Sequence, residues 1–450
     1  MVLSSLTDLE QWEQTFNHLS DHLINELKSN EYITLELEGE NSHFIRFNHA
    51  KVRQSGLVID TNIKLRLING KCTNYAVFPL TGNLEIDIKI ALENLDHLRQ
   101  EIEQLPEDPY IVLPQNKGSS REVYHGKLLD PNQSASAILP PVKDLDFTGY
   151  YTSGTVVRAN YNSLGQKHWF ATDSFFLDYS LITPSQKAVK CIFSAQNWDS
   201  SRYQQQIEEE KKQFQLLDKP VHLVKPGCYR TYLAPSAVAD LISMFSWGAI
   251  SEASLRQGGS ALAKMREGKT LSSLFSLQEN FAAGNVPRFN DLGEIPPVQI
   301  PLIVEGQLIN TLINSRTALE YNLISNGANN SESLRSPEVT AGTLKPEDIV
   351  AKLDTGLYVS NLHYLNWSDR QGGRITGMTR YACFWVENGE IVAPIQDLRF
   401  DDSLYAFLGE NLLALTTTRE FIPRTDTYEK RSLGGLLVPG LLVEDFTYTL

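Results

Sequence analysis

Beyond Lys219-Pro220, turn formers punctuate the chain at close intervals: Asn290-Asp-Leu-Gly293, Val304-Glu-Gly306, Arg335-Ser-Pro337, Gly356-Leu-Tyr-Val359, Gly377-Met-Thr-Arg380 and Glu387-Asn-Gly-Glu390. Glycine and asparagine supply the positive φ that tight turns need, and proline interrupts regular elements. Short β-patterned runs lie between these turns, so residues 221–450 are expected to form one large β-rich domain. The Glu387-Asn-Gly-Glu390 stretch reads as a hairpin tip.

One segment breaks this pattern. From Pro226 to Gly259 the chain reads PGCYRTYLAPSAVADLISMFSWGAISEASLRQGG and looks helical. Pro235 is tolerated in a first helical turn, and Val238, Leu241, Ile242, Phe245 and Ala249 follow at three- and four-residue steps. That spacing makes one apolar face, which is expected to pack on a core. Phe245 and Trp247 are aromatic at helical spacing, a pattern that serves a core more often than a ligand groove.

The first half has a different grammar. Thr7-Asp-Leu-Glu10 reads as a capping box, and Leu9, Trp12, Phe16, Leu19, Leu23 and Leu27 continue it at helical spacing. Ile33, Leu35 and Leu37 then alternate with polar residues as in a half-buried strand. Ile63, Leu65 and Leu67 do the same before Asn69-Gly70, a hairpin signal. A second helix is expected over Leu84 to Leu105, although Glu85 to Lys89 also alternates. Gly149 to Val157 and Trp169 to Leu181 read as strands around an Asn162-Ser-Leu-Gly165 turn, and Arg202 to Leu217 reads as a charged surface helix. The expected class is therefore α+β: an N-terminal region of antiparallel sheet and helices, then the β-rich C-terminal domain. Boundaries are expected near the turn-rich Pro106 to Ser120 and at Lys219-Pro220. They give segments 1–105, 106–220 and 221–450, the second either separate from the first or continuous with it.

A formal net charge of −14 argues against bare nucleic acid as the main ligand, because duplex binding relies on Lys and Arg neutralising phosphates. No run of about 18 apolar residues and no signal-peptide layout are present, so a cytoplasmic location without membrane insertion is expected. Cys72, Cys191, Cys228 and Cys383 are widely spaced and suggest neither disulfides nor structural zinc. Pairs such as His43 and His49, or His168 and His222, lack a third ligand at a recognisable spacing.

The Pro226–Gly259 segment and the motifs after it resemble the TldD/PmbA family, also called modulators of DNA gyrase. The likeness is dense after residue 220 and weaker before it, where Arg46 to Gly56 resembles the family's N-terminal signature. In the catalytic branch, TldD, the matching helix carries His-Glu-x-x-x-His, whose histidines bind zinc and whose glutamate acts as general base. Here Pro235 and Asp240 stand at the histidine positions and Ser236 at the glutamate position. The catalytic branch also draws a third ligand from a C-terminal cysteine, and no cysteine follows Cys383. Catalytic zinc needs three protein ligands and a base, so this pattern matches the zinc-free branch, TldE or PmbA.

The resemblance implies a chain with no catalytic or metal-binding residues and no cofactor of its own. Its expected role is the non-catalytic subunit of a TldD/TldE-type complex that degrades or processes unfolded peptides and small proteins. The zinc would reside in a TldD-like partner, as a heterodimer, with a homodimer when the partner is missing. The alternative is a peptide-binding or regulatory protein outside proteolysis. Candidate contacts with peptide or partner are His363, Asn366, Arg380 and Trp247. His363 and Asn366 share Leu357 to Asn366, a segment resembling one that borders the family's peptide cleft.

Overall fold

Alternating apolar residues build the first sheet as the sequence pattern predicts. In the computed structural model, which describes residues 5–449, helix α1 spans Ser5–Asn25, and strands β1 (Glu31–Asn48), β2 (Lys51–Asn69) and β3 (Cys72–Pro79) follow. The capping-box reading at Thr7 falls outside the described side chains. Next come α2 (Leu84–Ile102), β4 (Ser120–Tyr124), α3 (Ser134–Ile138), β5 (Asp146–Asn162), β6 (Lys167–Ile182), β7 (Ala188–Ala195) and α4 (Ser200–Leu217). Among the described residues the sheet has seven strands, ordered β3-β2-β1-β5-β6-β4, with β7 also on β6. All its pairs are antiparallel except β4 with β6. The sheet joins strands from either side of residue 106.

Ile33, Leu35, Leu37, Ile63, Leu65 and Leu67 face α1 and α2, where Phe16, Leu19, Leu23, Leu95 and Leu98 complete a closed core. Each such burial contributes about 1.5–3 kcal/mol. The alternation at Glu85 to Lys89 yields helix, because Asn83 caps the first turn by accepting from the Glu85 and Ile86 amides. Asp87, fully buried, accepts from the Thr81 amide at 2.8 Å, the Thr81 hydroxyl at 2.6 Å and the Gly82 amide at 3.1 Å. Asp87→Ala is expected to lower stability by about 2–4 kcal/mol, since bonds to a charged acceptor are strong and the variant gives up three of them at once. Urea unfolding followed by circular dichroism checks this.

The C-terminal domain carries β8 (Gly227–Leu233), α5 (Pro235–Ser243), β9 (Leu277–Asn280), β10 (Gln299–Val304), β11 (Gln307–Leu308), β12 (Pro337–Val339) and β13 (Gly356–Val359). It continues through β14 (Asn361–Asp369), β15 (Arg374–Arg380), β16 (Phe384–Glu387), β17 (Glu390–Pro394), β18 (Arg399–Ser403), β19 (Leu412–Pro423) and β20 (Gly435–Tyr448). Among the described residues these form a thirteen-stranded mixed sheet, and the architecture as a whole is α+β. Most strands are short, as expected. The exceptions are β19 and β20, 12 and 14 residues long, which pair antiparallel. The hairpin tip at Asn388-Gly389 has φ of 52° and 77°, as its sequence requires.

The Pro226–Gly259 stretch is not one helix. Its first part is strand β8, where Thr231 and Tyr232 suit a pleated surface better than a helix, and α5 starts only at Pro235. Gly248, with φ of 83°, ends the helical run before a separate short helix at Glu252–Arg256. The expected apolar face survives the correction: Val238, Leu241, Ile242, Phe245 and Ala249 are all buried in the domain core.

The two domains are tied by polar contacts. His168 sits between the Ser120 hydroxyl (2.8 Å) and the Gly293 carbonyl (2.9 Å), Asn160 donates to the Asp291 carbonyl (2.9 Å), and Arg431 from the β19–β20 connection enters the N-terminal sheet.

Candidate functional site: a cleft along helix α5

Sheet topology places this site. Strands β8 and β13 are parallel neighbours, so their carboxyl ends open on the same side of the sheet. Helix α5 leaves from the end of β8 and β14 from the end of β13, joined by an Ala234 amide to Val359 carbonyl bond of 2.9 Å. A crevice outside the carboxyl ends of adjacent parallel strands is a frequent place for a ligand.

The helix presents two unlike faces. Ala237, Val238, Leu241 and Ile242 are buried, whereas Ser236, Asp240, Ser243 and Trp247 repeat at helical spacing on the open side. Asp240 accepts from the Leu362 amide at 3.3 Å, linking this face to β14. Although part of its surface reaches solvent, burial against the helix and β14 raises the carboxyl to about 7, the Leu362 amide opposing the shift. Its titration is thereby moved from the acidic range toward neutral pH.

Three of the sequence-derived candidates sit on the β14–β15 hairpin. His363 is exposed at the start of an irregularity in the pairing, its ring 4.2 Å from that of Tyr364. Tyr364 takes φ of 52°, a conformation rare for aromatic residues. Asn366 is exposed and accepts from the Trp367 amide at 2.8 Å. Arg380 ends β15 opposite Asn361, exposed and 3.3 Å from Asp397. Trp247, 60% exposed, meets the same hairpin through its carbonyl, which accepts from the Trp367 indole at 2.9 Å. The hairpin thus joins α5 at two points, Leu362 to Asp240 and Trp367 to Trp247.

Pro235 opens α5, preceded by an N-cap Ala234 without a side-chain bond. These residues do not fit zinc: the Pro235 ring offers no donor, and a hydroxyl at Ser236 and a single carboxyl at Asp240 fall short of a three-ligand set. Among the described residues no group of three His, Cys, Asp or Glu side chains is arranged to hold a metal. Only His18 and His22 on α1 stand four apart, in the N-terminal domain. His168 is engaged at the domain junction, and His222 stacks on Trp385 with centroids 4.6 Å apart.

Past the C-terminal end of α5 lies a cavity of about 480 Å³ between Ser243 and Trp247, the segment around Ser331 to Pro337, and Arg424 to Ser432. No sequence motif pointed to Arg424, which lies in the long connection between β19 and β20. Its remoteness from α5 in sequence hides the contact that folding creates.

Residues 226–450 match the family model for the PmbA/TldA metallopeptidase C-terminal domain. No curated protein matches the chain by sequence. Among solved structures, TldE from Thermococcus kodakarensis superposes with a TM-score of 0.77 at 16% identity, covering 97% of this chain and 100% of its own. A Thermotoga maritima protein, TM0727, described provisionally as a modulator of a DNA gyrase, gives 0.75 at 16% over the same shares. BT3649 from Bacteroides thetaiotaomicron, described in the same way, gives 0.74 at 15% over 100% of both chains. At these identities the superpositions speak for the fold.

Proposed function

Because its C-terminal half matches that family model, the chain belongs to the PmbA/TldD metallopeptidase family, and we propose that it serves as the zinc-free, non-catalytic subunit of a TldD/TldE-type complex. The observation that carries this reading is the state of α5. Its buried face is intact, while the resemblance sets Pro235 and Asp240 at the histidine positions of the catalytic branch's motif and Ser236 at its glutamate position. A helix that keeps its packing and lacks its ligands still forms a wall.

In this role the chain lines a cavity for unfolded peptides, and the chemistry belongs to a zinc-bearing partner of similar fold. Related folds tend to pair through related patches, which favours a pseudo-twofold heterodimer. The crevice beside α5, bordered by His363, Asn366 and Trp247, would guide an extended peptide. Exposed strand edges offer main-chain bonds to such a ligand without regard to its sequence.

Co-expression with a zinc-containing homologue tests the proposal. The tagged chain is expected to capture that homologue, and the pair to degrade reduced, unfolded casein that neither subunit cuts alone. Capture without degradation would favour a regulatory, peptide-binding role. Stoichiometric zinc in the isolated chain with EDTA-sensitive cleavage would overturn the assignment.

A further inference from the structure

The cavity at the end of α5 gathers a guanidinium and several hydroxyls whose donors are largely uncommitted. Arg424 is half-buried, and its side chain makes one bond, from Nη2 to the Leu334 carbonyl at 2.5 Å, with no ion pair among the described residues. The hydroxyls around it are similarly unspent. Ser246 accepts from the Leu334 amide (3.1 Å) and Ser333 from the Asn329 side-chain amide (2.9 Å), and neither hydroxyl donates its proton to a partner among the described residues. Ser331 and Ser432 make no side-chain hydrogen bond among the described residues. Only Ser243 directs its proton elsewhere, to the Ala239 carbonyl at 2.8 Å.

Negative charge available to Arg424 from the protein is limited. Buried Glu279 lies within electrostatic range, but its two oxygens accept from the Arg335 and Ser336 amides, both at 2.6 Å, and Arg335 adds a second cation nearby. Asp426, the one carboxylate lining the cavity, is exposed and makes no ion pair with Arg424. A guanidinium with open donors among free hydroxyls is complementary to a planar anion.

We infer that this cavity is a carboxylate subsite, in which Arg424, assisted by the Ser246, Ser331, Ser333 and Ser432 hydroxyls, binds a peptide's free C-terminus or an acidic side chain. The inference rests on the peptide-cleft reading above. It adds direction and selectivity: a peptide along α5 would be anchored at the Trp247 end by its negative group.

Fluorescence polarisation on the isolated full chain tests this with four labelled, unstructured peptides of one length: acidic or neutral in side chain, each with a free or an amidated C-terminus. The parent chain should bind a carboxylate-bearing peptide at least tenfold more tightly than the fully neutral one. Comparing free with amidated ends identifies which carboxylate is used. Arg424→Gln should erase the preference, and Arg121→Ala, on a remote surface, should retain it. Ser331→Glu, which introduces a competing carboxylate beside an intact Arg424, should also erase it and serves if Arg424→Gln does not fold.

A preference unchanged in both cavity variants overturns the inference. If no peptide binds, glutarate provides a separate readout. Saturable, Arg424-dependent glutarate binding would keep the carboxylate site and remove the peptide-cleft reading, whereas absence of both would sink the subsite.

Discussion

Replacing Asp240 by asparagine is expected to open a stability gap over the parent chain that widens by about 2–4 kcal/mol between pH 4.5 and pH 8. The folded environment raises this carboxyl from 3.8 to about 7, chiefly through burial. A raised carboxyl pKa means that the folded state holds the proton more tightly than the unfolded chain. Its contribution is therefore fully present below the unfolded value and lost as pH rises through about 7, where a poorly hydrated carboxylate must form. Asparagine keeps the acceptor for the Leu362 amide and never ionises, so its contribution does not change over this range. Urea unfolding of both proteins at half-unit pH steps checks the sign, and parallel profiles would refute it. At the place where the resemblance expects a zinc-binding imidazole, the fold thus holds a group that is neutral in much of its population at pH 7. A neutral carboxyl can donate a hydrogen bond to a peptide carbonyl, which a carboxylate cannot.

The legible parts of this chain were those governed by local periodicity. Ile33-Leu35-Leu37 against Ile63-Leu65-Leu67, and Val238-Leu241-Ile242 on α5, declared their buried faces because alternation and helical spacing are set by backbone geometry alone. The β8 strand was obscured for a related reason. Gly227 to Leu233 is short and apolar enough to join a neighbouring helical pattern, and only pairing with β13 and β20 decides its conformation. At the candidate site, the residues that open α5, Pro235 and Ser236, could be read directly. The cavity could not, since Arg424 lies far along the chain from Ser243 and the two meet through sheet order. Likewise, nothing local marks Arg431 as an interior residue; its place follows from how the two domains close.

Truncating that residue, Arg431→Ala, is expected to lower stability by about 3–5 kcal/mol, whereas Arg431→Met should lose less than half as much. Arg431 is 4% exposed and donates to Ser174 through its carbonyl (3.1 Å) and hydroxyl (2.9 Å), to the Ser42 hydroxyl (3.1 Å) and to the Gly154 carbonyl (3.3 Å). Burial pushes its guanidinium down to about 10, which shows how poorly the pocket replaces water around the charge. Alanine abandons those acceptors and leaves a hole beside Phe176, whereas methionine fills much of the space and removes the need to desolvate a cation. Equal losses in the two variants would mean that the hydrogen bonds, rather than packing, dominate. The consequence extends to the cleft, because Arg431 anchors the same connection that carries Arg424 and Ser432. With the anchor gone, that segment is tied less firmly to the N-terminal sheet, and amide exchange across 424–434 should quicken. Peptide discrimination should weaken in Arg431→Ala even though Arg424 is untouched, and methionine, by holding the connection in place, should preserve most of it.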